Sequence, residues 1–256
     1  MRRDVLTLRS FYATALGQAA RTLVSRKLVE AWGDAHGLDV LGVGYATPFL
    51  DPFRSRARRV VAAMPAAQGV EVWPSGEANL ACLAGEQELP FPSAFFDRIV
   101  VAHGLEESDA PGPLLAEVRR VLAPSGRMIA VVANRRGLWA RAEETPFGHG
   151  RPFSREQLEE VVIQAGLAPE AWSRALYVPP LAMLARHADV IEQVGSRLAA
   201  PMAGLILLEA VKQTFAVKPR GLKAPAVVRA LRPAAAGAAS SSHRGGPDTE
   251  GLGGGG

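Results

Sequence analysis

Two apolar runs of strand length, joined by an amphipathic helix, constrain the fold of this chain most strongly. Residues 96–102 read FDRIVVA and residues 127–133 read RMIAVVA, and both are rich in residues that favour β-strands. Between them, residues 113–122 (PLLAEVRRVL) place their leucines and valines on one helical face, and Pro124-Ser125-Gly126 ends that helix. Strand, helix and strand at this spacing predict a unit of a parallel, doubly wound sheet.

Further short apolar runs extend this pattern to seven strands. The added strands are predicted at residues 38–43, 60–64, 79–84, 171–178 and 204–212. Helical periodicity predicts an N-terminal helix at residues 5–32, which would cover one face of the sheet, and later helices at 154–165 and 181–198. Ser154 and Gln157 have the spacing of a capping box. We therefore expect an α/β fold in which helices flank a doubly wound sheet.

Composition and charge divide the chain into three parts. We expect a helical segment at residues 1–37, an α/β domain at 38–218 and a flexible, basic, low-complexity tail at 219–256. The Ala-, Ser- and Gly-rich end cannot bury enough surface to offset the entropy of ordering it. The net charge is +4, and residues from Arg220 onward contribute +3 of it, with five basic and two acidic residues. A nearly neutral body does not favour a nucleic-acid binder.

The cysteine, histidine and apolar residues of the chain limit the compartments and the kinds of site that we expect. Cys82 is the single cysteine, so no intramolecular disulfide can form. This is compatible with a reducing compartment, and we expect a cytoplasmic protein. No run of about 18 apolar residues predicts a membrane span, and no spacing of Cys and His predicts a metal site.

A glycine turn follows the first predicted strand, in the stretch LDVLGVGYATPFLDP at residues 38–52. Glycine lacks Cβ, so Gly42 and Gly44 would let a ligand approach the backbone closely. A dinucleotide loop of the G-x-G-x-x-G type would need glycine where Thr47 stands and an acidic residue at the end of the second strand. Because both are missing, an NAD-dependent oxidoreductase is the weaker interpretation.

Three motifs further along the chain carry a resemblance to a known family. They are Leu89-Pro90-Phe91, Phe96-Asp97 and the helix end Glu117-Val118-Arg119-Arg120-Val121-Leu122-Ala123-Pro124-Ser125-Gly126. In the order and spacing of these parts, residues 38–133 resemble the class I S-adenosylmethionine-dependent methyltransferases, specifically the broad type 11 group. The resemblance implies a Rossmann-like, seven-stranded sheet, mostly parallel with an antiparallel last strand, that binds S-adenosyl-L-methionine.

The resemblance also implies a set of cofactor-binding residues. These are Gly42, Gly44, Tyr45, Met64, Gln68, Glu86 and Leu89. The glycines would lie under the methionine and ribose, Glu86 near the adenine amino group, and Tyr45 near the sulfonium, where a cation–π contact contributes about 0.5–2 kcal/mol. Leu89 and Met64 would pack against the two faces of the adenine ring. From the residues alone, Glu86 could equally be a solvated loop acid, Met64 a core residue and Tyr45 an exposed turn residue.

The sequence departs from the family at two acidic positions. Gly42 stands where the family often has Asp, and residues 60–68, the second strand and its end, contain no carboxylate for the ribose hydroxyls. Hydrogen bonds to a charged group contribute roughly 1.5–3 kcal/mol, so this loss would weaken cofactor binding by about 10- to 150-fold. Gln68 would be a neutral substitute. The departures favour, as the alternative function, a non-catalytic protein of the same fold that acts as a binding or regulatory partner.

His103 follows the fourth strand, where the family often places residues that touch cofactor or substrate. A base with a pKa near the working pH helps methyl transfer to oxygen or nitrogen, so we predict His103 as the catalytic residue. A structural role at the start of the next helix is the alternative. Glu106 and Glu107 are expected to be solvated. The methyl acceptor, a small molecule or a protein, would contact the N-terminal helix and residues 134–152.

Overall fold

A mixed β-sheet forms the centre of the computed structural model, which describes residues 3–198, 202–212 and 229–230. Its strands are β1 (Asp39–Gly44), β2 (Arg59–Pro65), β3 (Ala81–Ala84), β4 (Phe96–Ala102), β5 (Leu122–Ala133), β6 (Leu167–Ala175), β7 (Leu205–Lys212) and β8 (Arg229–Ala230). Their order across the sheet is β3-β2-β1-β4-β5-β7-β6-β8.

The directions of the strands match the predicted sheet. Strands β1 to β5 are parallel to one another, and β7 runs antiparallel between β5 and β6. The expected fold class is therefore confirmed. Strand β6 begins earlier than predicted, since Leu167 already pairs with Lys212. The two residues of β8 pair with β6 at the sheet edge, and this short strand was not predicted. The rest of segment 219–256 lies outside the described residues.

Helices cover both faces of the sheet. They are α1 (Val5–Ala13), α2 (Ala15–Trp32), α3 (Thr47–Leu50), α4 (Pro111–Val121), α5 (Arg155–Gln164) and α6 (Ala188–Leu198). Side chains of α1, α2 and α3 form one core with Val40, and side chains of α4 and α5 form the other with Leu41. Each fully buried Leu or Val side chain of α4 contributes roughly 1.5–3 kcal/mol. Within the described part of the chain, no helix is both long and apolar enough to cross a bilayer.

The predicted N-terminal helix is two helices, separated at Thr14. The backbone of Thr14 is extended (φ −75°, ψ 159°), its hydroxyl oxygen accepts a hydrogen bond from the Gly17 N–H, and its own N–H donates to the carbonyl of Phe11. A Cβ on Gly17 would lie 2.1 Å from that carbonyl oxygen, so the two helices can meet this closely only at a glycine. The expectation of one continuous helix was wrong because the apolar periodicity continues across the break.

The order of the strands places the candidate site. Strand β1 lies between β2 and β4, so the chain leaves β1 in one direction and later returns on its other side. In a doubly wound sheet, ligands bind beyond the carboxyl ends of the strands at this reversal. Gly44 and Ala102, the last residues of β1 and β4, are paired there.

Candidate functional site

The glycine turn after β1 packs against protein rather than leaving an open cradle. Gly44 has a φ of +82°, and a Cβ on it would lie 2.2 Å from the carbonyl oxygen of Ala102 and 3.1 Å from the backbone nitrogen of Gly104. A Cβ on Gly42 would lie 2.6 Å from Cδ1 of Leu50 in α3. The missing side chains therefore make room for β4 and α3, and the crevice between β1 and β4 is closed at this level.

A group of contacting aromatic rings, which we call the aromatic cover, lies beside the glycine turn. It consists of Tyr12, Tyr45, Phe49, His103 and Phe147. Tyr12 comes from α1, and its ring is stacked on Tyr45 with centroids 6.0 Å apart and meets Phe49 edge-on at 5.7 Å. Its hydroxyl is hydrogen-bonded to Nε2 of His103 at 2.7 Å. The break at Thr14 thus brings α1 over the site that sequence analysis assigned to the cofactor.

Tyr45, expected near the sulfonium, belongs to this cover and is only 3% exposed. Its hydroxyl donates to Oε1 of Glu71 at 2.7 Å. Burial, followed by this hydrogen bond, raises the pKa of Tyr45 well above its ordinary value. Tyr45 is therefore not an exposed turn residue, and its polar end is directed at Glu71.

His103, the predicted catalytic residue, is buried beneath Tyr12. It is 3% exposed, and its backbone has a left-handed φ of +49°. Burial lowers the pKa of His103 to about 3, because a charged imidazole would lose its hydration. The side-chain amide of Gln68 donates to the His103 carbonyl at 3.2 Å. At neutral pH the imidazole is thus uncharged, and its pKa lies below the range expected of a general base.

The two predicted adenine contacts lie on opposite faces of the sheet. Met64 is buried in the core shared with α1 and α2, whereas Leu89 is buried in the core shared with α4. The Leu89 N–H donates to Oε2 of Glu117 at 2.9 Å, and the Arg120 guanidinium donates both to Glu117 and to the Leu89 carbonyl at 2.8 Å. The structure does not bring Met64 and Leu89 together, and the Leu-Pro-Phe and E-x-x-R motifs hold one another in place.

An open cavity of about 1030 Å³ lies at the carboxyl ends of β2 and β3, beside the turn that follows β4. We call it the acidic cavity. Its carboxylate side chains are Asp4, Glu86, Glu88, Glu106, Glu107 and Asp109, and its basic side chain is Arg151. Glu86, a predicted site residue, accepts a hydrogen bond from the Ser108 hydroxyl at 3.0 Å across the cavity wall. Of the predicted cofactor residues, Glu86 lines this cavity.

Glu106 is the site residue that sequence reasoning missed. It is 5% exposed, so the expectation of a solvated carboxylate was wrong. Its Oε1 accepts a hydrogen bond from the Ala133 N–H at the end of β5, at 2.9 Å. Burial raises the pKa of Glu106 to about 7. Its place in the sequence, directly after the β4 turn, was the available signal, because parallel strands bring their carboxyl ends to one edge of the sheet.

A family comparison bears on this edge of the sheet. The family described as "Methyltransferase domain" matches residues 28–130, which run from the end of α2 into β5 and include the glycine turn and the residues after β4. This part of the chain is therefore similar to the methyltransferase domain family. The chain also matches curated methyltransferases over short stretches and solved structures over about three quarters of its length.

The chain matches about a fifth of the length of its curated relatives. The ubiquinone/menaquinone biosynthesis C-methyltransferase UbiE of Ralstonia nicotianae is 40% identical over 50 residues, which cover 20% of this chain and 21% of that protein. The UbiE of Bordetella avium is 43% identical over 49 residues, which cover 19% of each chain.

Solved structures share the fold of this chain. The [4+2]-cyclase SpnF has a TM-score of 0.55 and 22% identity, with 77% of this chain and 82% of that chain covered. The 1,6-didemethyltoxoflavin-N1-methyltransferase of Burkholderia thailandensis, solved with 1,6-didemethyltoxoflavin and S-adenosylhomocysteine bound, has a TM-score of 0.50 and 18% identity, with 78% and 79% covered. At these identities the likeness establishes the fold alone.

The two parts of the candidate site, the acidic cavity and the glycine turn, differ in how well they suit S-adenosylmethionine. The acidic cavity has room for the adenosine half, and Glu86 and Ser108 supply hydrogen-bonding groups for a nucleoside. The glycine turn is closed by the contact between Gly44 and Ala102 and covered by Tyr12. The arrangement therefore fits the adenosine half, and the glycine turn, where the methionine half of the cofactor is expected, is packed against Ala102 and Leu50.

Proposed function

We propose that this protein is an S-adenosylmethionine-dependent methyltransferase that methylates an acceptor still to be identified. The observation that carries the proposal is the acidic cavity, which lies at the carboxyl ends of the strands beside the topological reversal. The match of residues 28–130 to the methyltransferase family supports the same conclusion. We place the protein in the cytoplasm because it has a single cysteine, Cys82.

In this proposal the residues of the chain bind the cofactor and orient it. Glu86 and Ser108 hold the adenosine half, and Gln68 fixes the turn after β4 through the His103 carbonyl. His103 acts as a positioning residue, because its uncharged imidazole holds Tyr12 over the glycine turn. When bound, the cofactor supplies a methyl group activated by a sulfonium. The protein contributes proximity and the exclusion of water.

A specific observation favours the alternative, a non-catalytic protein of the same fold. Tyr12 packs on Tyr45 directly beside the glycine turn, and residues 60–68 contain no carboxylate for the ribose hydroxyls. In this alternative, the covered turn is a permanent part of the core. A fold does not by itself determine chemistry.

Calorimetric titration of the full chain with S-adenosylhomocysteine and S-adenosylmethionine separates the two functions. We expect saturable binding that Glu86→Gln weakens about tenfold, since a charged acceptor is lost. The matched control is Glu77→Gln, whose carboxylate lies on the surface outside the acidic cavity. If neither ligand gives heat at millimolar concentration, the non-catalytic function replaces the proposal.

A further inference from the structure

A second binding feature lies on the wall of the acidic cavity that the residues after β4 and residues 150–151 form. We propose that this wall is a site for the ammonium group of a small aliphatic amine, with Glu106 as its principal partner. The inference goes beyond the proposed function, because it concerns a ligand other than the cofactor. It stands on the geometry around Glu106 and on the charge of the cavity.

The Glu106 side chain is held in place at one oxygen and left without a partner at the other. Its Oε1 accepts the hydrogen bond from the Ala133 N–H, and its carbonyl accepts another from the Arg151 N–H at 2.7 Å. Its Oε2 has no hydrogen-bond partner among the described residues, although the side chain is about nineteen-twentieths buried. Buried polar atoms are nearly always paired, so an orphaned carboxylate oxygen on a residue that lines a cavity indicates a missing donor.

The neighbouring carboxylates of the cavity are already used in part by the protein. Asp4 caps α1 by accepting the Thr7 N–H at 2.8 Å, and Glu107 accepts the Arg3 N–H at 2.8 Å. Glu86 accepts the Ser108 hydroxyl. These groups fix the walls, while their charges add up to a negative potential in the cavity. A concave acidic site of this kind concentrates cations at the orphaned Oε2 of Glu106.

The cation that fits best is an organic one. The cavity has the size of a small-molecule site. Its carboxylates are spread around the walls, and the described residues contain no group of three His, Cys, Asp or Glu side chains placed to hold a metal ion. An alkylammonium donates up to three N–H bonds from a single point, so one buried carboxylate oxygen can anchor it. Such a contact would also counter the rise in the pKa of Glu106 that burial causes.

Calorimetric titration of the full chain with putrescine tests the site directly, without cofactor. We expect putrescine to bind saturably at pH 8, and we expect its neutral isostere 1,4-butanediol not to bind. Glu106→Gln should weaken putrescine binding at least tenfold, because it removes a charge-assisted hydrogen bond. Asp109→Asn is the matched control, since it removes the same charge from an exposed position of the same cavity. It should change the affinity less than threefold.

Three outcomes would overturn the inference. The first is that titration with putrescine up to 5 mM, the highest concentration to be tested, gives no saturable heat. This concentration is at about the millimolar limit of useful affinity. The second is that Glu106→Gln and Asp109→Asn weaken putrescine binding equally, which would mean that a diffuse acidic patch attracts the amine. The third is displacement of putrescine by S-adenosylhomocysteine, which assigns the wall to the cofactor. Putrescine binding without any S-adenosylhomocysteine binding would retain this site and reject the proposed function, so the two failures are distinguishable.

Discussion

The hydroxyl of Tyr12 lies 2.7 Å from Nε2 of His103, and this hydrogen bond joins α1 to the turn after β4 inside the protein core. Both side chains are almost fully buried, so a water molecule cannot take the place of either partner in this hydrogen bond. The bond therefore holds α1 over the glycine turn. It makes the N-terminal segment part of the candidate site rather than an accessory to the sheet.

Replacing Tyr12 by Phe should destabilise the protein. The substitution leaves Nε2 of the buried His103 without its partner, and an unsatisfied buried group costs about 1–3 kcal/mol. Urea denaturation measures this loss as a lower midpoint with an unchanged slope. The control is Tyr177→Phe, which removes a hydroxyl that makes no hydrogen bond to any described residue. Equal stability of the two variants would contradict the importance of the Tyr12 contact.

Replacing Gly44 by Ala should cost more stability than the same change at Gly76. Both residues have a positive φ, +82° and +77°, so both substitutions strain the backbone by about 1–2 kcal/mol. A Cβ at Gly76 meets nothing within 4 Å, whereas one at Gly44 would collide with the Ala102 carbonyl. We expect a total cost of about 3 kcal/mol or more at Gly44, since overpacking adds roughly 1–3 kcal/mol. Denaturation midpoints compare the two, and equal costs would contradict the closed crevice.

The buried Glu106 should make the stability of the protein fall as the pH rises from about 4.5 to about 7. In the unfolded chain its carboxyl ionises near 4.5, but in the folded protein it keeps its proton up to a pKa of about 7. The folded state binds more protons between these values, so raising the pH favours unfolding. The full effect is about 3 kcal/mol, present above pH 7 and absent below pH 4.5.

The variant Glu106→Gln isolates this effect. It keeps an acceptor for the Ala133 N–H and removes the buried ionisation, so it should be as stable as the natural protein at pH 4 and more stable at pH 8. Chemical denaturation at the two pH values gives the difference. The exposed Glu144→Gln serves as the control and should change little at either pH. A Glu106→Gln protein that is less stable at pH 8 would contradict the raised pKa.

Binding of S-adenosylhomocysteine should loosen α1. In the proposed function the methionine half lies at the glycine turn, beside which Tyr12 packs on Tyr45, so we expect Val5–Ala13 to leave the aromatic cover. Hydrogen exchange followed by mass spectrometry should show faster exchange of the α1 amides on binding, with the α5 amides unchanged. Saturable binding without this change would place the whole ligand in the acidic cavity.

Much of the fold could be predicted from local patterns. The apolar runs at β4 and β5 and the amphipathic α4 between them specify a parallel unit whatever surrounds them. The motif residues Leu89 and Glu117 lie within the residues that match the methyltransferase domain family. Their roles could not be predicted, because a motif does not reveal whether its residues contact a ligand or one another.

The sequence by itself determined the order of the strands and helices and the fold class, since these depend on periodicity and on short-range propensity. Only the tertiary structure decided the state of the site. Tyr12 and His103 are 91 positions apart, and Glu106 becomes buried only when the end of β5 and residues 150–151 close around it. Burial and the pairing of polar atoms arise from contacts between distant segments, and those contacts set the pKa of His103 and of Glu106.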